Sequence, residues 1–154
     1  MNRELRAQFD SYLDEYRSAL HDSLNGLTEE EARLSLVPSR TTLLGLVKHA
    51  IFVEGVWFDE AITGRSRKEI GLASTPDGSF ILKKHDTIAS LQAAYRDACE
   101  ASRRAVDALE LEETVEGRGP RPLWRVYLHM VRELAQHCGH ADILREQVLA
   151  RRTA

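Results

Sequence analysis

Apolar residues recur at three- and four-residue spacing in four separate stretches, the periodicity of helices that bury one face. Leu5, Phe9, Leu13, Tyr16, Leu20 and Leu24 predict a first helix over residues 2–24, closed by the Asn25-Gly26 stop. Leu46, Ala50, Val53, Val56 and Trp57 predict a second, from about Thr42 to Ile62, with Thr41 as N-cap and Gly64 as its stop. A third starts at Asp86 or Thr87 and runs to Leu109, burying Ile88, Leu91, Tyr95, Ala98, Ala105 and Leu109. The fourth runs from near Pro122 to about Arg151 on a stripe of Leu123, Val126, Met130, Leu134, Ala141, Leu144 and Val148.

The stretches between them carry the turn chemistry. One holds an acidic turn, Glu29-Glu30-Glu31, and Pro38; the next, residues 64–85, holds Pro76-Asp77-Gly78; the last holds Gly117, Gly119 and Pro120. No stretch has the alternation of a strand. The pattern predicts an all-α fold, an antiparallel four-helix bundle with long connecting loops, as one domain over residues 1–154. Loops of this length in a compact domain are often functional, and here they are expected to close over one end.

Composition narrows the functional classes. Hydrophobic residues make up 43% of the 154 and charged residues 29%, enough for a core and against intrinsic disorder. Lys plus Arg number 21 against 24 Asp plus Glu, a net charge of −3, which argues against nucleic acid as the main partner. Cys99 and Cys138 are too few for a secreted disulfide scaffold. The charged start, Met1 to Arg6, lacks the apolar core of a signal peptide. No apolar run is long enough for a membrane span, so a cytoplasmic protein is expected.

The chemistry gathers in histidines. Three of the six, His129, His137 and His140, lie on the last helix. At about 100° per residue, His137 falls near the centre of that helix's apolar stripe, and Glu133, one turn earlier, falls at its margin. His49 sits on the apolar face of the second helix. Imidazole and carboxylate suit divalent zinc, iron, nickel or manganese, and three protein ligands with an open fourth position are typical of catalytic zinc. A core histidine held by a hydrogen bond, or a plain Glu133–His137 ion pair, would use the same residues without metal.

Other candidates compete. His129 extends the line of Glu133 and His137, but the three span about 12 Å along the axis, too far to meet one ion. His140 lies about 20° from Glu133 and one turn beyond His137, where it could orient a ligand or contact a substrate. Cys138 points about 140° away from Glu133, and Cys99 reads as ordinary core. Arg118, Arg121 and Arg125 form a basic cluster where the last loop enters the fourth helix, either a solvated turn or an anion receptor. His21 and His85 have no evident partner.

Two segments, Thr41-Thr42-Leu43-Leu44-Gly45-Leu46-Val47-Lys48-His49 and the run from His129 to Glu146, resemble the DinB-like superfamily of metal-binding helical bundles. Val53 to Phe58 fits as well. The likeness is strongest to the actinobacterial branch that includes the metal-binding domain of mycothiol-dependent maleylpyruvate isomerase, and it extends over nearly the whole chain. It implies His49, Glu133 and His137 as ligands, with Glu133 where many relatives carry a histidine. The isomerase's additional C-terminal domain has no counterpart here, so maleylpyruvate is not the expected substrate.

The resemblance further implies a divalent metal, zinc first and nickel or iron as fits, with mycothiol as thiol cosubstrate. The expected function is a metal-dependent enzyme that activates the thiol, or water, for transfer to, or isomerisation of, a small electrophile, with His140 orienting a ligand or moving a proton. The alternatives are a metal-binding helical module without turnover and a homodimer whose helix faces cover one another.

Overall fold

A computed structural model describes residues 2–153. The chain is mostly helical: α1 (Asn2–Asp22), α2 (Glu29–Ala32), α3 (Leu43–Gly55), α4 (Ala61–Thr63), α5 (Arg67–Ile70), α6 (Ile88–Val106) and α7 (Leu123–Ala150). A π-helical turn, Val56–Glu60, joins α3 to α4, so the second predicted helix is one continuous element with a wider turn inside it. Contrary to the strand-free expectation, Thr114–Val115 (β1) and Arg121–Pro122 (β2) pair as a short antiparallel ribbon.

Local chemistry sets the ends. Thr42, not Thr41, caps α3, because its hydroxyl accepts from Gly45 N at 3.0 Å while Thr41 is engaged with Ser39. Thr87 caps α6 in a reciprocal box with Ser90, and Thr28 does the same for α2 with Glu31. The helix expected to reach Leu109 ends three residues earlier, at Val106.

The four long helices share one core that includes Leu13, Leu20, Leu44, Leu46, Tyr95, Tyr127, Met130 and Leu134. Ten of the thirteen residues of α3 are buried, since it packs against both α6 and α7. The contacts also give each helix a direction. Asp10 meets Tyr127, Tyr16 meets Cys138 and Ser23 meets Arg145, so α1 and α7 run the same way. Along α6, Gln92 meets Asn25 and Arg103 meets Asp14, so α6 opposes α1. His49 lies beside His137 and Trp57 beside His129, so α3 opposes α7.

The arrangement therefore departs from simple antiparallel packing. The neighbours α1 and α7 are parallel, and so are α3 and α6. The physical reason is the connection between α3 and α6. It is long enough to return the chain along the molecule, so α6 starts at the end where α3 started. That crossover holds α5 (Arg67–Ile70) and a 3₁₀ turn, Asp77–Phe80.

The connection before α7 is pinned at Gly117. Its N–H donates to Ala61 O at 2.9 Å, and an added Cβ would lie 1.8 Å from Glu60 O. No side chain fits there, so the ribbon loop seats directly on the end of α4.

Candidate metal centre

His49 is carried on the side of α3 that meets α7, and only 4% of it is exposed. Its ring stacks on Phe80, centroids 4.2 Å apart, and meets the His137 ring edge-on at 4.7 Å. Ser79 Oγ lies 2.6 Å from His49 Nδ1 and donates its own proton to Pro76 O at 2.5 Å. The hydroxyl can then only accept from the ring, which makes Nδ1 the protonated nitrogen and leaves the Nε2 lone pair free. Burial, reinforced by neighbouring His137 and opposed by Glu133, lowers the His49 pKa to about 4, so the ring is neutral at pH 7.

Glu133 and His137 lie one turn apart on α7. Their closest approach, Glu133 Oε1 to His137 Nε2, is 3.7 Å, too long for a hydrogen bond. The His137 imidazole holds the Glu133 carboxyl below its ordinary range against the opposing effect of burial, with His129 and His49 adding to it. Both ring nitrogens of His137 are buried without a hydrogen-bond partner among the described residues. One ligand atom each from His49, Glu133 and His137 lie within 4.8 Å of one another. Two ligands of a tetrahedral zinc stand about 3.4 Å apart, so a small side-chain adjustment would let the three share an ion. The orphaned imidazole and the donor set of two imidazoles and a carboxylate both fit a divalent cation.

Residues 8–150 match the family model described as mycothiol-S-transferase. The chain belongs to the mycothiol-S-transferase family. Comparison with curated proteins gives no match. No helix among the described residues is long and apolar enough to cross a membrane.

Around the three donors, this mycothiol-S-transferase family member arranges the other candidates unequally. His140 is exposed, its ring 5.6 Å from that of His137, on an apolar groove of about 310 Å³ lined by Val37, Ser39, Thr41, Ile143 and Leu144. His129 is not part of the donor set. Its ring packs on Trp57 at 3.9 Å, and its Nδ1 accepts from Arg132 at 3.2 Å.

Neither cysteine joins the donors. Cys138 Sγ donates to Tyr16 O on α1 at 3.4 Å, and Cys99 is buried 4.0 Å from Glu54. Burial, with nearby carboxylates, pushes Cys138 up to about 11 and Cys99 up to about 12.

Two members of the basic cluster are engaged with neighbours, and exposed Arg125 is not. Arg118 and Arg121 lie over the Trp57 ring, 5.0 and 5.5 Å from its centroid, and Arg118 pairs with Glu60 at 3.2 Å. Arg125 lines a separate pocket beside Trp57 and Arg121. His21 has partners after all: Asp22 at 2.8 Å and Arg96 at 2.7 Å. His85 is exposed, 4.0 Å from Asp86.

Two features were not read from the sequence. Ser79 and Phe80 read only as part of a turn, because nothing local ties residue 79 to residue 49. Glu54 is 1% exposed and accepts Arg17 in a two-point ion pair at 2.8 and 2.9 Å, with Ser102 Oγ at 2.6 Å. A carboxylate inside an apolar helix face was the one available hint.

Proposed function

We propose that the protein is a divalent-metal-dependent enzyme that transfers a low-molecular-weight thiol to a small electrophile, acting from a DinB-like four-helix bundle. The observation that carries this reading is His137, whose two buried ring nitrogens have no hydrogen-bond partner among the described residues while His49 and Glu133 converge on it. Mycothiol is the thiol that the family description supports. Zinc is the metal proposed, with nickel or iron compatible with the same donors. When bound, a divalent cation supplies positive charge that stabilises a thiolate, or a hydroxide from water, at neutral pH.

The chain's own residues do the rest. His49 presents Nε2 because Ser79 holds its other nitrogen, and Phe80 covers the ring from water. Glu133 adds a negative charge, so the centre has a lower net charge than three histidines would give. His140, exposed beside His137, orients the incoming reactant or moves a proton at its edge. Cys99 and Cys138 take no part: both stay thiols, and both face other helices. A cytoplasmic setting suits the two unpaired cysteines.

The test is metal analysis of the purified chain, then thiol-transfer assays with mycothiol and a panel of small electrophiles, metal-loaded and chelated. Metal-dependent transfer, lost in His137→Ala, is the expected result. Metal binding without turnover across the panel would favour the binding module instead.

A further inference from the structure

The seam between α3 and α7 holds more than the three donors. Because the helices oppose each other, the stations along it fall in order: the groove of Thr41, His140 and Ile143, then His49 beside His137, then Trp57 beside His129. The last station is a pocket of about 480 Å³ lined by Trp57, Arg121, Arg125, Leu128, His129 and Arg132. It is built by three separate devices. The π turn carries Trp57, Gly117 seats the ribbon loop that delivers Arg121, and α7 supplies the other four residues.

Among the described residues, no carboxylate lines this pocket. Arg121 donates to the carbonyls of Gly119 and Arg118, Arg132 donates to neutral His129, and Arg125 has no ion pair or hydrogen bond among the described residues. Elsewhere on this net-acidic chain, Arg17, Arg65, Arg67, Arg103 and Arg152 each hold a carboxylate. Nearby Glu60 is already shared between Arg67 and Arg118. His129 accepts at Nδ1, so as a neutral ring it offers Nε2–H as a further donor.

We propose that this pocket receives a carboxylate of a reactant whose reacting atom lies at the His49, Glu133 and His137 centre. Planar guanidinium forks match a carboxylate in two-point geometry, and the exposed Leu128 side chain gives apolar surface to the part that follows it. His129 precedes Glu133 by one helical turn, about 6 Å, so the carboxylate stands several bonds from the reacting atom. The proposal rests on the reading of the triad as the reacting centre. Mycothiol carries no carboxylate, so the acid belongs to the electrophile.

Trp57 reports the pocket directly. In a Trp124→Phe background it is the sole tryptophan, and glutarate, titrated into metal-free protein, is expected to change its fluorescence saturably. Uncharged glutaramide is not. Arg125→Gln and Arg132→Gln should each weaken glutarate binding about tenfold, with circular dichroism confirming an unchanged fold. Equal responses to glutarate and glutaramide, or full glutarate affinity in the double Arg variant, would overturn the proposal.

The His137→Ala variant separates the two readings. Loss of metal with glutarate binding kept supports both, and retention of metal defeats the triad while the pocket stands. In metal-loaded protein, the arginine variants should raise KM for a carboxylated maleimide and leave KM for its uncharged counterpart unchanged. An unchanged KM for the carboxylated probe, beside unchanged glutarate binding, overturns the proposal; where turnover is absent, the fluorescence titration decides it alone.

Discussion

Ser79 Oγ stands 2.6 Å from His49 Nδ1, so a hydroxyl in the crossover connection selects which nitrogen of a helical histidine is free. The same hydroxyl is anchored on Pro76 O, within the turn that also presents Phe80 to the His49 ring. A loop remote in sequence thus sets the tautomer at the candidate metal centre.

Removing that hydroxyl should loosen the centre without unfolding the chain. Ser79→Ala is expected to weaken metal binding about 10–100-fold, the usual effect of losing a partner that orients a metal-ligating histidine. Competition with a chromophoric chelator measures it. Unchanged affinity would mean that helix packing alone orients His49.

The histidines of α7 should rank sharply. His137→Ala is expected to abolish stoichiometric metal binding, whereas His129→Ala should leave it largely intact, because His129 packs on Trp57 rather than among the donors. Elemental analysis of the two purified variants gives the comparison. Equal losses would place the site one turn nearer the N-terminus of α7.

The Arg17–Glu54 pair ties α1 to α3, and Ser102 adds α6. Burial alone would lower the Arg17 pKa, but the Glu54 carboxylate outweighs it and holds the guanidinium charged. Glu54→Gln leaves that charge buried without its counter-ion and should cost about 3–5 kcal/mol in urea unfolding. Replacing Arg17 and Glu54 together by apolar residues should recover much of the loss. A cost below about 1 kcal/mol for Glu54→Gln would show that water reaches the pair.

Both cysteines should react slowly in the folded protein. With thiols near 11 and 12, the thiolate fraction at pH 8 is about one in a thousand for Cys138 and about one in ten thousand for Cys99. An ordinary cysteine is about a quarter ionised there. Disulfide-reagent kinetics should show a slow native phase and a fast one in guanidinium, and the double Cys-to-Ser variant should keep any transferase activity.

Acid sensitivity should track Asp86. Burial raises its pKa, but Lys48 at 2.6 Å and the Lys83 N–H at 2.7 Å outweigh burial and leave it below the ordinary value. A depressed folded pKa means stability that is present above the unfolded value, about 3.9, and lost as pH falls through the folded one. Asp86→Asn should flatten the fall in stability below about pH 4. A parallel acid-unfolding curve would move that dependence to other carboxylates.

Much of the secondary structure was legible along the chain. Three- and four-residue spacing marks the long helices, and Asn25-Gly26, the Thr caps and Gly64 mark most of their ends to within a few residues. The inward placement of His49, Glu133 and His137 was legible too, because a helix wheel is a local property: 100° per residue says which face a side chain occupies. It does not say which helix lies opposite. That α1 and α7 run parallel, that Ser79 reaches His49, that Glu54 finds Arg17, and that Trp57 gathers Arg118, Arg121 and His129 all depend on pairings across long sequence separations. Only the packed core and the length of the crossover decide those, because burial drives helices together without encoding locally which partners they meet.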